Sequence, residues 1–365
     1  MKKLRAVDLF CGAGGMSRGF CDAGFRVVAG FDSWTPAVET YRKNFRHDCH
    51  DLDLYRAEAV DVVAACKPDI IFGGPPCQDY SPAVARNGER AETKERAGLT
   101  VRFAEIVRAV RPSLFVLENV PAIKGSYALA RARVIFRRAG YGLSGVVLDA
   151  CYCGVPQHRR RFFLIGRLEA RHGFLDGFLR RGLAATPMTV RDYLPDIGTD
   201  RYHSHPMRND LRCVFPIDEP APTMRCENRP VPPHARKHGV RALTTMERAL
   251  IQTFPTGFRF SGSAKEQEKL IGNAVPVNLA RHVASAVLEY ETWRIQPLRK
   301  RQRDGQSMTA TKRRDATRAA IERAIKRMHE RGESVNVSGV AKAARVTRQA
   351  LYKCYPDIVE ILRRP

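Results

Sequence analysis

The sequence predicts an α/β protein built from a doubly wound parallel-sheet domain, a smaller irregular domain and a helical C-terminal tail. Three observations carry this expectation. Runs rich in Val, Ile, Leu and Phe recur through the first 168 residues, separated by amphipathic stretches of helical length. From about Met188 to about Arg236 that rhythm dissolves into a Pro-, Arg- and His-rich stretch, suited to a small surface-reading domain. Beyond residue 294 the chain is hydrophilic and basic, and then helical in pattern.

The elements follow in order. RAVDLF reads as a buried strand that runs into CGAGG and a helix starting near Met16, so that backbone and a helix N-terminus can face a ligand. RVVAGFD is a second strand ending in Asp32, and DIIFGG a third that leads into PPCQDYSP. Residues 100–111 and 128–139 read as helices, SLFVLEN as a strand ending in Glu118 and Asn119, and FFLIG as a further parallel strand. Residues 243–253 look helical, and 276–293 read as an amphipathic helix in which the sheet domain resumes. The expected boundaries are 1–187 for the sheet domain, 188–270 for the small domain, 271–293 for the return segment, 294–308 for a basic linker and 309–365 for the tail.

Composition narrows the partners. Lys and Arg outnumber Asp and Glu by 62 to 38, a formal charge of +24 that favours a polyanion, nucleic acid ahead of an anionic membrane. Residues 294–365 hold 19 basic and 7 acidic residues, half of that excess. No run approaches the ~20 apolar residues of a membrane span, and the N-terminus lacks a signal-peptide pattern, so a cytoplasmic, nucleoid-associated protein is expected. The ten cysteines show no pairing rhythm and are expected as reduced thiols. Cys151-x-Cys153 has no second ligand pair at metal spacing, and no metal is expected.

The candidate site residues sit at strand ends. CGAGG fails both the G-x-x-x-x-G-K-S/T and the G-x-G-x-x-G spacing, which argues against ATP and NAD, although a Gly-rich turn alone is equally a tight turn. Asp32 is placed to accept ribose hydroxyls of an adenosyl ligand, with Trp34 against its adenine and Asp53 near the adenine amino group. Cys77 follows an apolar strand in a loop stiffened by prolines, a reasonable place for a nucleophile once its proton has an acceptor. Glu118 ends another strand on the same edge. Arg159 and Arg161, two apart in GVPQHRRRFFLIG, share a side if that segment is extended.

Taken in order, DLFCGAGGMSRGF, FGGPPCQDYS, ENV, QHRRRFFLIG and LIGNAVPVNLA resemble the motif set of bacterial and phage DNA (cytosine-5)-methyltransferases over about residues 1–293. The resemblance implies a Rossmann-like fold that uses S-adenosyl-L-methionine, a target-recognition domain, and a last segment with Gly272, Asn273 and Ala274 returning beside the first Gly loop. It implies cofactor contacts from Phe10, Cys11, Gly12, Ala13, Gly14, Gly15, Asp32, Ser33, Trp34, Asp53, Leu54, Pro76, Leu99, Asn273 and Ala274. Catalysis would rest on Cys77, which attacks C6 of the base, on Glu118 at N3 and the exocyclic amine, and on Arg161 with help from Arg159 at O2.

The base must be flipped out of double-stranded DNA for this chemistry. Gln78 resembles the residue nearest the vacated position, and Ser81 could reach phosphate. Thr223, Arg225, Asn228 and Arg229 are the candidates for DNA contact in the small domain, each equally able to hold a phosphate rather than read a base. Arg241 and Glu247 are expected to brace that domain. A monomer is expected, working either beside a cognate restriction endonuclease as partner or as an orphan methylase without one. An RNA cytosine methyltransferase and a catalytically silent DNA-binding regulator are the rival readings; the long target segment weighs against the first, and intact Cys77, Glu118 and Arg161 against the second.

Val337 to Tyr355 stands apart. VSGVAKAARVTRQALYKCY resembles the helix-turn-helix at the start of TetR-type repressors, with Thr347, Arg348, Gln349 and Lys353 on the second helix. A small helical bundle with a solvated basic face is the plainer alternative.

Overall fold

A seven-stranded sheet organises the computed structural model, which describes residues 3–76, 98–204, 213–296, 298–331, 333 and 335–362. Strand β1 (Arg5–Leu9) leads to helix α1 (Gly15–Ala23), β2 (Arg26–Asp32), α2 (Thr35–Asn44), β3 (Asp48–Asp51), α3 (Ala59–Ala65) and β4 (Ile70–Gly73). Then come α4 (Gly98–Val110), β5 (Leu114–Asn119), α5 (Tyr127–Arg138), β6 (Tyr141–Asp149) and β7 (Arg160–Leu168). The sheet order is β3-β2-β1-β4-β5-β7-β6, and its reversal at β1 and β4 creates a crevice beyond the strand ends.

Register decides what meets at that crevice. Leu9 pairs with Phe31 and with Gly73, and Gly73 pairs with Leu117, so four parallel strands end level. The residues that follow them, Phe10 to Gly15, Asp32 to Trp34, Gly74 to Pro76 and Glu118, are thereby delivered to one edge.

The run FFLIG departs from the expected parallel arrangement, because β7 is antiparallel to both β5 and β6. A strand buried on both faces reads as an unbroken apolar run in either direction, so the sequence pattern carries no polarity. The reversal matters for the site: Glu118 pairs with Phe163, which brings Arg161 at the start of β7 beside the end of β5.

The strands β1, β4 and β5 are buried throughout or nearly so, and Phe103, Phe115, Phe136 and Tyr141 form an aromatic cluster between the sheet and helices α4 and α5. Two short helices, α6 (Asp176–Arg180) and α7 (Val190–Tyr193), precede a small sheet of β8 (Arg201–His203), β9 (Val214–Pro216) and β10 (Arg241–Ala242), in the order β10-β8-β9, with α8 (Pro233–Arg236) between its last two strands. Tyr202, Ile217, Met224 and Ile251 give this part its own core. Arg241 donates to both carboxylate oxygens of Glu247 at 2.8 and 2.7 Å and to the Ile197 carbonyl at 2.6 Å, the bracing expected of the pair.

Helices α9 (Thr245–Ile251), α10 (Ala264–Asn273) and α11 (Val277–Arg294) bring the chain back to the first Gly loop. Ala13, Ala37, Phe254, Leu270, Ile271 and Ala274 form one apolar cluster there. Gly15 is required at this seam, since a Cβ would stand 2.2 Å from the Val275 carbonyl oxygen.

Residues 1–290 form one compact unit and 291–365 a second. The second contains α12 (Leu298–Glu330), α13 (Val337–Ala343), α14 (Arg348–Cys354) and α15 (Pro356–Ile361). Most of the stretch read above as a hydrophilic linker, 298–308, is the beginning of the 33-residue helix α12. Arg, Lys and Gln are good helix formers, so hydrophilicity there did not mean coil.

Candidate functional site

The crevice is a cavity of about 580 Å³. Its walls include every expected cofactor residue except Gly14: Phe10, Cys11, Gly12, Ala13, Gly15, Asp32, Ser33, Trp34, Asp53, Leu54, Pro76, Leu99, Asn273 and Ala274. Gly14 faces the other way. It precedes α1 with φ 88°, and a Cβ on it would lie 2.4 Å from the Phe45 ring, so its role is to let the chain turn into the helix against α2. Phe10 itself has φ 61°, an uncommon conformation for an aromatic residue and one that recurs at ligand-binding turns.

Asp32 is fixed by its own turn. Its two carboxylate oxygens accept from the Gly12 and Trp34 amides, each at 2.9 Å, which ties the end of β2 to the Gly loop. Burial raises its pKa, and these backbone bonds with that of Ser33 oppose the rise. Asp53 is exposed and accepts the Tyr55 amide at 3.0 Å. Lys269, absent from the sequence reading, lies 4.5 Å over the Trp34 ring and lines the same cavity.

Deeper in, Asp8 is 1% exposed and receives the Ser17 hydroxyl at 2.7 Å. Burial, with the neighbouring Asp32 charge, raises its carboxyl to about 8 against the pull of the Ser17 bonds. At the other end, Glu118 and Arg161 form an ion pair, Nε to Oε1 3.0 Å, in which both side chains are largely buried. Burial raises the Glu118 pKa, while Arg161 and then Arg159 draw it down. Gly74 makes room for this carboxylate, because an added Cβ would stand 2.8 Å from Glu118 Oε2. Cys77, Gln78 and Ser81 lie outside the described residues.

Arg159 lines the cavity, is 1% exposed, and donates from both terminal nitrogens of its guanidinium to backbone. Nη1 donates to the Met224 carbonyl at 3.1 Å, and Nη2 to the Gly272 and Ala274 carbonyls at 2.8 and 3.0 Å. These bonds join β7 to the small domain and the return segment, while the same side chain lines the cavity close enough to Glu118 to draw its pKa down. Gln157 and Gln252 extend the joint. Gln157 donates to Gln252 at 2.8 Å and accepts the Met224 amide at 2.9 Å, and Gln252 donates to the Ile271 carbonyl at 2.5 Å.

Asp149, Cys151 and His158 converge beside this joint within 4.8 Å of one another. Asp149 also accepts the Arg159 amide at 3.0 Å, so the group secures the turn before β7.

The four small-domain candidates are all exposed. Thr223 donates its hydroxyl to the His158 carbonyl at 2.7 Å and Asn228 its amide to the Leu243 carbonyl at 2.7 Å, whereas Arg229 pairs with Glu227 at 3.0 Å. Thr223 and Met224 are thus the point at which the small domain is stitched to the catalytic edge.

A family model for C-5 cytosine-specific DNA methylases matches residues 4–173 and 191–289, the span that builds this cavity and joint. The chain belongs to that family. This methylase is 48% identical over 300 residues to the Type II methyltransferase M.HindV of Haemophilus influenzae, covering 79% of this chain and 97% of the relative. It is 45% identical over 297 residues to M.HgiDI of Herpetosiphon aurantiacus, again over 79% of this chain and 95% of the relative. Among solved structures, Schizosaccharomyces pombe Dnmt2 superposes with a TM-score of 0.59 at 19% identity, over 79% of this chain and 99% of that one. The Entamoeba histolytica methyltransferase EhMeth gives 0.59 at 17%, over 81% and 100%; both likenesses concern the fold. The methylase transfers a methyl group to C5 of cytosine in DNA. Among its described residues no helix is long and apolar enough to cross a membrane.

Proposed function

We propose that this methylase modifies one cytosine within a specific duplex site, with S-adenosyl-L-methionine in the β1–β2 half of the cavity and the flipped base at the β4–β5–β7 end. One observation carries the reading: the Glu118–Arg161 pair, 3.0 Å apart, and the Asp32–Trp34 turn line the same cavity. The Asp32 carboxylate at the end of β2 can accept ribose hydroxyls, and the Trp34 indole beside it can lie against the adenine of an adenosyl group. When bound, that group supplies an electrophilic methyl.

The chain's own residues do the rest. C5 of cytosine is a poor nucleophile, and addition of the Cys77 thiolate to C6 converts the ring into an enamine that can accept the methyl at C5. Glu118, facing N3 and the exocyclic amine, can share a proton with N3 as charge enters the ring, so that the charge is neutralised there. Arg161 offers its guanidinium to O2, while Arg159 holds β7 in place. A base then takes the C5 proton, the C–H electron pair forms the C5–C6 double bond, the C6–S bond breaks to release the Cys77 thiolate, and N3 gives its proton back to Glu118.

Base reading falls to residues 188–270, with Arg225, Asn228 and Arg229 exposed there and Gln78 and Ser81 following Cys77 in the sequence. The Type II designation of the relatives supports a restriction-modification role with a cognate endonuclease as partner. A monomer acting on chromosomal DNA in the cytoplasm completes the reading. The test is transfer of tritiated methyl from S-adenosyl-L-methionine to duplex DNA and to tRNA, followed by mapping of the modified base. Label in one cytosine of one duplex sequence is expected, and label confined to tRNA would overturn the reading.

A further inference from the structure

The family match ends at residue 289, and the second compact unit begins at 291. That unit has its own core. Ile321 and Met328 of α12 pack with Val340 and Ala341 of α13, Leu351 of α14, and Ile358 and Val359 of α15. It is also pinned by polar contacts: Arg314 donates to the Cys354 carbonyl at 2.7 Å, Tyr355 donates its hydroxyl to the Arg314 carbonyl at 2.9 Å, and Arg318 pairs with Asp357. A segment serving only as a flexible polybasic tail would need none of this.

Helices α13 and α14 are joined by a tight turn. Arg345 takes φ 55° there, the Val346 amide returns to the Ala341 carbonyl at 2.9 Å, and Val346 packs partly into the core. Each helix is capped: Asn336 accepts the Gly339 amide at 2.9 Å, and Thr347 accepts the Ala350 amide at 3.1 Å. With Leu351 buried completely, Arg348, Gln349, Tyr352 and Lys353 of α14 are left exposed.

Charge on this surface has one sign. Residues 336–355 contain Lys342, Arg345, Arg348 and Lys353, all exposed, and no carboxylate. Four carboxylates elsewhere in the unit pair with other cations: Glu322 and Asp357 with Arg318, Glu330 with Lys326, and Glu333 with Arg331. A solvated helix face normally mixes signs. A face that carries cations and an amide, on the second helix of a helix-turn-helix, instead matches a major groove lined by base acceptors and flanked by phosphates.

We propose that residues 291–365 form a second duplex-DNA-binding site, in which α14 reads a sequence of its own through Arg348 and Gln349 while Lys353 and the turn residue Arg345 hold phosphate. Arg is suited to the N7 and O6 of guanine and Gln to the N7 and N6 of adenine. The site is separate from methyl transfer, and the proposal stands whether or not the assignment of the catalytic residues holds. It gives the methylase a DNA address other than the sequence it modifies.

The test selects bound sequences from a random duplex pool with the full-length protein and with an Arg348→Ala/Gln349→Ala/Lys353→Ala variant, the methylated site being mapped separately. All three positions are exposed and Thr347 is left to cap α14, so the helix is expected to persist, as circular dichroism would report. Wild type should return two unrelated sequences, one of them the methylated site. The variant should lose the second by at least tenfold in Kd and keep the methylation rate on a short duplex bearing the target alone within twofold. Should the triple variant fold poorly, Lys353→Glu alone should weaken the second sequence and lower the slope of log K against log salt by about 0.9, one phosphate contact. A selection that returns the methylated site alone, a second sequence retained by both variants, or tighter binding of RNA than of duplex DNA would overturn the proposal.

Discussion

Arg159→Met should unseat the joint between β7, the small domain and the return segment. The side chain is 1% exposed and supplies the Met224, Gly272 and Ala274 carbonyls with N–H groups at 2.8 to 3.1 Å. The substitution takes the Arg159 donor from all three carbonyls, of which Ala274 keeps a second, Gln252 Nε2 at 3.2 Å. An orphaned buried acceptor costs about 1–3 kcal/mol, and methionine recovers part of the loss by avoiding desolvation of a charge. The net expectation is about 3 kcal/mol of destabilisation in the first unit. Lysine should recover less than half of it, because one ammonium cannot match three acceptors that a planar fork spans. The chain has two tryptophans, and Trp34 lies in the cavity wall. Urea unfolding followed by fluorescence in a Trp293→Phe background therefore reports on the first unit. Arg159→Met within about 1 kcal/mol of its parent would refute the positioning role. Arg159→Met that unfolds normally yet loses methylation entirely would return Arg159 to direct contact with the base.

Three further outcomes are expected. Gly74→Ala places a methyl 2.8 Å from Glu118 Oε2, so kcat should fall at least tenfold with S-adenosyl-L-methionine affinity changed less than threefold, measured by steady-state kinetics and calorimetry; an unchanged kcat would mean the carboxylate position is not critical. Glu118→Gln keeps the shape but removes the proton donated to N3, and methylation should drop about a hundredfold or more, in line with general-acid contributions. Asp8 holds a proton up to about pH 8 in the folded chain and only to about its ordinary 3.8 when unfolded. The folded state is then the more protonated across that window, so stability should fall as pH rises, by up to about 1.4 kcal/mol per unit, and Asp8→Asn should flatten the slope. Parallel slopes for the two proteins in urea titrations from pH 5 to 8 would contradict the burial argument.

The strand-end residues were legible because chemistry and chain geometry coincide there: CGAGG, Asp32 and Glu118 each directly follow an apolar run, and parallel strands deliver such positions to one edge. Strand β3 was not legible, since DCHD at the sheet margin has neither an apolar run nor alternation. The antiparallel direction of β7 was hidden for the reason that hides it in any fully buried strand, and with it the means by which Arg161 reaches Glu118. Gln252 and Lys269 gave no signal because their partners, Gln157 and Trp34, are 95 and more than 200 residues away in sequence. Arg159 shows the limit of spacing arguments: two arginines two residues apart do face one cavity, but the spacing gave no sign that one of them also bonds the Met224, Gly272 and Ala274 carbonyls.

The central claim is that this cavity performs covalent methyl transfer through Cys77, and a duplex with 5-fluorocytosine at the mapped target position tests it most directly. Fluorine cannot leave C5 as a proton does, so after methyl transfer the enzyme cannot be expelled from C6. Incubation with S-adenosyl-L-methionine should give a denaturation-resistant protein–DNA adduct with its crosslink at Cys77, and Cys77→Ser should give none while still binding the methyl donor. An enzyme that methylates ordinary duplex but forms no adduct, or an adduct mapped to another residue, would contradict the account.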